Sequence, residues 1–207
     1  MNIKKLALIF CAVILATGCS DTEHEDTGPD LKPYMIKAGN KEVNLLDSSY
    51  ELQEQLGKKF STETLGDQSS VIVCASYHEN FDGFTYSDFH PVYDKENKNR
   101  KKFALYNGIN VDSDKDTVEK QLGSCMKFEG EYTQYIELFI NGEEIDYSLV
   151  DTSEFSDTED EIVRYSQAAR AYCAKQLENE ESGNYVVINV SCYDSRDNDI
   201  SVSILQK

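Results

Sequence analysis

Asn141-Gly142 stands between two runs rich in β-branched and aromatic residues, YTQYIELFI (132–140) and EEIDYSLV (143–150). Both residues tolerate the positive φ that a two-residue hairpin demands at its centre, so the stretch predicts paired antiparallel strands. A lone hairpin is marginal in water, and further strands must flank it. The chain offers SSVIVCASY (69–77), GFTYSDF (83–89) and KKFALYNGINV (101–111) before it. After it come YVVINVSCY (185–193) and ISVSILQK (200–207), joined by the turn DSRDND. YMIKAGNKEVNLL (34–46) predicts one more hairpin, turning at Gly39-Asn40.

Helical signals are fewer. Ser48 and Glu51 have capping-box spacing, Leu52 and Leu56 fall one turn apart, and Gly57 follows as a left-handed stop. Asp114 sits where an N-cap belongs, Val118 and Leu122 repeat the apolar pair, and Gly123 repeats the stop. The segments 43–60 and 109–128 thus read as two copies of one strand-to-helix unit, a candidate internal repeat. A longer helix is expected over 157–179. Its capping box would be Ser156 with Glu159, and Ile162, Tyr165, Ala169, Tyr172 and Cys173 would line one face against a sheet. The expected fold is α+β: antiparallel sheet with two short helices and one long helix packed on one face. It would form a single domain over 34–207, with a sub-boundary near 150.

The first residues are a different matter. Lys4 and Lys5 precede an apolar core, Leu6 to Ala16, of eleven residues. A helix needs about 20 residues to cross a bilayer, so this segment reads as a leader and not a span. Ala16-Thr17-Gly18-Cys19 resembles the lipobox of bacterial lipoproteins, with Leu15 one position earlier than the leucine usually found there. The resemblance implies removal of residues 1–18, a diacylglyceryl thioether on Cys19, an acylated amino terminus, and a chain held on the outer side of the cytoplasmic membrane. Residues 19–33, acidic and with Leu31 as the one large aliphatic side chain, cannot bury enough apolar area to offset their ordering entropy and read as a tether.

Without the leader, Lys+Arg falls from 20 to 18 against 38 Asp+Glu. Such a surface repels phosphate backbones and anionic headgroups, which excludes nucleic acid as a partner. The acids are spread along the chain, as on a solvated surface.

Four cysteines remain in the exported part: Cys74, Cys125, Cys173 and Cys192. An even number outside the cytoplasm suggests two disulfides. Cys173, about six residues before its helix ends, and Cys192, about eight residues into the next strand, would be offset by roughly 17 Å, beyond the ~7 Å a bridge allows. Cys74 with Cys192 and Cys125 with Cys173 is the preferred pairing, and four buried thiols the alternative.

Little else points to chemistry. Asp112, Asp114 and Asp116 resemble the start of an EF-hand loop, but Thr117 stands where the turn requires glycine and Gly123 where the bidentate glutamate belongs. No CxxC and no G-x-S-x-G occur, and Cys74 and His78 would lie ~13 Å apart along a strand. No catalytic residue, metal ligand or cofactor is therefore expected, and no titratable cluster in a deep pocket near His78 or His90. Residues 108–123, G-I-x-V-x(6)-V-x(3)-L-G, resemble the unit of small Gram-positive extracytoplasmic lipoproteins and, more distantly, of the outer-membrane assembly lipoprotein and β-lactamase-inhibitor-protein superfamily. That resemblance implies a non-catalytic protein acting through protein contacts. The expected function is a tethered envelope module binding a protein or ligand. A cell-envelope hydrolase and a small solute-binding lipoprotein are the alternatives.

Overall fold

The computed structural model describes residues 32–207 apart from 64, 82, 83, 124, 158 and 159, and describes 76–81 and 84 by their backbone alone. Lys32–Tyr34 form one 3-10 turn whose Pro33 and Tyr34 are buried, so buried structure reaches into the last residues of the expected tether. Two hairpins form where the turn residues require them. β1 (Met35–Ala38) and β2 (Lys41–Asn44) turn at Gly39, φ +70°. β8 (Thr133–Ile140) and β9 (Glu143–Glu144) turn at Asn141 and Gly142, φ +51° and +85°.

Between them lie α1 (Ser49–Leu56), β3 (Phe60–Ser61), β4 (Ile72–Phe81), β5 (Phe84–Pro91), β6 (Phe103–Leu105), α2 (Lys115–Gln121) and β7 (Met126–Glu129). α3 (Glu161–Gln176), β10 (Asn184–Cys192) and β11 (Asp199–Gln206) complete the chain. The large sheet runs β3-β4-β5-β11-β10-β8-β7, with β9 extending the β8 edge, and every pairing in it except β3 with β4 is antiparallel. A three-stranded sheet, β2-β1-β6, lies over it. β10 and β11, which come after residue 150, are central strands, so the sheet is continuous across that position. The architecture is α+β, as the patterning indicates.

Side chains alternate along a strand, so each strand feeds both faces of the sheet. On one face Tyr135 and Phe139 of β8, Val186, Ile188 and Val190 of β10, and Val202 and Ile204 of β11 meet the small sheet, Leu52 and Leu56 of α1 and Val118 of α2. An eight-residue helix does not persist alone, and burial of two leucines at roughly 2 kcal/mol each is what holds α1 in place. On the other face Ile136 and Leu138 pack under Tyr165, Ala168 and Ala169 of α3, and Tyr185 and Leu205 under Cys173 and Leu177. The helices therefore divide between the two faces where a single face was expected, because both sides of β8 and β10 are apolar.

Several boundaries move for local reasons. α3 starts at Glu161 because Asp160, and not Ser156, caps it, accepting from the N–H groups of Ile162 (2.9 Å) and Val163 (3.0 Å). It ends near Leu177, where Lys207 donates to the carbonyls of Leu177 (2.9 Å) and Glu178 (2.7 Å). β9 stops after two residues because the Asp146 carboxylate accepts from Ser148 N–H and opens a 3-10 turn. The strand expected over 101–111 shrinks to β6, since Gly108 at φ +89° closes a turn on Leu105. Gly57 has a positive φ (+56°) as expected of a helix stop; Gly123 does not. An added Cβ at Gly123 would lie 2.7 Å from the carboxylate of the exposed Glu144, a flexible side chain that can swing aside. The two strand-helix units share a face of the large sheet, but nothing in the topology makes them a repeat.

Candidate functional site

α3 covers only part of its face of the sheet. Where it leaves β11 and β5 uncovered, the face turns polar: Ser201 and Ser203 alternate with Val202 and Ile204 on β11, and Tyr86, Asp88 and His90 alternate with Phe89 on β5. Register brings them together. Ser203 is paired with Asp88 on one side and Val187 on the other, and Ser201 is paired with Asn189. A cavity of about 80 Å³ opens between this strip and α3, lined by Ser166, Arg170, Asn189, Ser201 and Ser203 over an apolar floor of Ile136, Val187 and Leu205.

A chain of hydrogen bonds crosses the strip. Tyr86 Oη donates to Ser203 Oγ at 3.2 Å, and Ser203 Oγ donates to Asp88 Oδ1 at 2.9 Å. On the far side of the cavity Gln134 Nε2 donates to Asn189 Oδ1 at 2.8 Å. The Arg170 guanidinium lies 5.6 Å from the centre of the Tyr86 ring. Desolvation raises the pKa of Asp88, opposed by the Ser203 bond and by the charges of His90 and Arg170. Desolvation lowers that of His90, opposed by its bond to Pro91 and by Asp88.

His90 is 3 % exposed, its Nδ1–H faces the Pro91 carbonyl oxygen at 2.8 Å, and its ring lies against Tyr93 with centroids 3.9 Å apart. Nε2 has no partner among the described residues. In the neutral ring Nε2 is then a bare acceptor. Neither imidazole nitrogen bonds to Ser203 or Asp88, and His90 does not line the cavity. The Ser203 hydroxyl points its proton at Asp88 Oδ1.

The residues singled out from the sequence fall elsewhere. Cys19 and His24 lie outside the described residues, as does the side chain of His78. Cys74, Cys125, Cys173 and Cys192 form no disulfide in this structure; three are buried and Cys125 is half-buried. Neither expected pairing brings its two cysteines together in this topology. β4 and β10 are separated by β5 and β11, about 14 Å across three strand spacings, which puts Cys74 out of reach of Cys192. Cys125 packs with the core under the small sheet and Cys173 with the cluster under α3, on opposite sides of the large sheet. Burial pushes the Cys173 thiol up to about 12 and, with Glu137 nearby, that of Cys125 up to about 11, so neither is an activated nucleophile.

Asp112 pairs with Lys101 at 2.7 Å, and Asp114 caps α2 by accepting from Thr117 N–H at 2.8 Å. With Tyr193, Asp194 and Asp197 these aspartates line a second, more open cleft of about 370 Å³. Among the described residues no group of three or more histidine, cysteine or acidic side chains is placed to hold a metal ion. Beside that cleft Arg100, 3 % exposed, donates to the carbonyls of Val92 (3.4 Å) and Asn198 (3.1 Å) and lies 3.5 Å from Asp197. It fastens the 194–199 turn to the body of the domain.

A third polar centre sits in the core. Glu137 on β8 is 1 % exposed; its carboxylate accepts from Gly123 N–H at 2.6 Å and from Tyr106 Oη at 3.4 Å. Desolvation raises its pKa to about 7, with the Glu144 carboxylate pushing the same way and the two hydrogen bonds opposing it. Its partners lie on the turn after α2 and the turn after β6, which it ties to the large sheet.

The strip beside α3 has no signature in the sequence, because serine alternating with isoleucine and valine reads only as a solvent-facing side of a strand. Asp88, Ser203 and Asn189 are distant in sequence and meet through β-pairing. No family model, no curated protein and no solved structure matches this chain, so its function rests on these geometries.

Proposed function

We propose that this chain is a lipid-anchored, extracytoplasmic protein of the cell envelope that binds a protein or envelope ligand through the polar strip beside α3, without catalysing a reaction. The lipobox-like Ala16-Thr17-Gly18-Cys19 and its short apolar leader support the address. The observation that carries the binding role is the strip itself: polar side chains on a sheet face, held by one another, with donors turned toward a cavity. In this reading the anchor sets the location, the acidic surface keeps the domain off the headgroups, and the strip selects the ligand.

Cys19→Ala tests the anchor: the protein should leave the membrane fraction or keep its leader, and unchanged processing and membrane retention would contradict it. Capture from membranes tests the strip. Ser201→Arg fills the cavity and should abolish recovery of a bound component, while Glu54→Arg on the outer side of α1 should not. Equal recovery with both variants would place the binding surface elsewhere. The hydrolase alternative draws on Ser203, Asp88 and His90 sharing one strip. It would require Ser203 to be labelled by a fluorophosphonate, whereas the bond from Ser203 to Asp88 predicts no labelling.

A further inference from the structure

Four side chains that turn toward the cavity beside α3 carry hydrogen-bond donors with no acceptor among the described residues. They are the Arg170 guanidinium, the hydroxyls of Ser166 and Ser201, and the amide N–H₂ of Asn189. The orientation of Asn189 is fixed: its carbonyl oxygen takes the hydrogen bond from Gln134, which leaves its two N–H donors for the cavity. Arg170 is exposed and makes no ion pair among the described residues, in a chain with 38 acidic and 20 basic side chains. Its guanidinium rests instead over the face of the Tyr86 ring. Asp88, the carboxylate held on this face, lies one strand further out behind the Ser203 hydroxyl and does not line the cavity.

An arginine fork with neutral donors around it is the arrangement that recognises a planar or tetrahedral oxyanion. A water needs roughly 10–15 Å³ of such volume, so about 80 Å³ admits a group of some five heavy atoms, the size of an oxyanion and its first linkage. We propose that this cavity is a subsite for a compact oxyanion, the carboxylate or phosphoryl group of a larger ligand, held by Arg170 with Asn189, Ser166 and Ser201. The proposal rests on the reading of this strip as the ligand seat and adds the chemistry the seat selects. Arg170 supplies the charge and the three neutral donors fix the group's orientation. Val187 and Leu205 meet the apolar stem to which it is attached.

Titrating the full chain with acetate and, separately, with methyl phosphate, while following its ¹H–¹⁵N spectrum, tests the assignment. Sodium chloride at matched ionic strength is the control. Saturable, millimolar shifts centred on residues 166, 170, 189 and 201 are expected with at least one probe. The probe that saturates identifies the carboxylate or the phosphoryl group as the preferred source. Arg170→Gln, at an exposed position where folding is not at stake, should weaken binding at least tenfold, and Asn189→Ala several-fold. Shifts that match those of chloride, or an Arg170→Gln variant that binds as well as the wild type, overturn the subsite. If the probes fail while Ser201→Arg still abolishes capture from membranes, the subsite falls and the binding role stands. If the probes bind and capture is insensitive to Ser201→Arg, the reverse holds.

Discussion

Replacing Glu137 by glutamine should make the protein more stable at pH 8 and leave it nearly unchanged at pH 5. Burial raises the Glu137 carboxyl from its ordinary 4.5 to about 7, so the folded chain binds that proton more tightly than the unfolded chain does. A carboxyl raised in this way contributes its full stability below about pH 4.5 and loses it as pH climbs through 7. At about 1.4 kcal/mol for each pH unit between those two values, the loss reaches about 3 kcal/mol by pH 8. Glutamine carries no charge to desolvate. Its carbonyl oxygen can still accept from Gly123 N–H, and its N–H₂ can donate to Tyr106 Oη, so the contacts at 2.6 Å and 3.4 Å survive in kind. The variant should therefore gain about 2–3 kcal/mol over the wild type at pH 8 and under about 1 kcal/mol at pH 5. Urea unfolding at the two pH values reads this as a higher midpoint at pH 8 with an unchanged slope. A Glu137→Gln midpoint at pH 8 equal to or below that of the wild type would refute the account of this buried carboxyl.

Other consequences follow from the fold. Arg100→Met should destabilise the domain by about 2–3 kcal/mol in the same assay, because two carbonyls and Asp197 lose a buried partner; a loss below about 0.5 kcal/mol would mean that the 194–199 turn is held by other contacts. Asp160→Ala should cost about 1 kcal/mol through the N-cap of α3, while Ser156→Ala should cost nothing measurable. Thiol titration of residues 20–207, unfolded without reductant, should count four reactive groups, and in the folded state Cys74, Cys173 and Cys192 should resist alkylation. A peptide joining Cys74 to Cys192 would contradict the strand order of the large sheet.

Strands and caps were legible at several places where one short segment determines its own conformation, although Ser156, an equally local signal, gives way to Asp160 as the cap of α3. Asn141-Gly142, Ser48 with Glu51, and Asp114 all act over four residues or fewer, and each forms as its sequence indicates. Gly123 reads as a left-handed stop but has no positive φ, because α2 already ends at an extended Leu122. What could not be read depends on which strands lie side by side. The neighbours of Cys74 and Cys192 could not be read, because β5 and β11 come between β4 and β10, an order that no local pattern encodes. The strip beside α3 was hidden in the same way, since Asp88, Asn189 and Ser203 become neighbours only through the pairing of β5, β11 and β10.

The polar strip as the surface that meets the ligand is tested most directly by a photo-reactive side chain placed on it in the membrane-bound protein. Benzoylphenylalanine in place of Tyr86, which donates to Ser203 within the strip, should form a discrete adduct on irradiation of intact membranes. The same group in place of Tyr50, 71 % exposed on α1 beyond the opposite face, should not. An adduct at position 50 with none at position 86 would contradict the account.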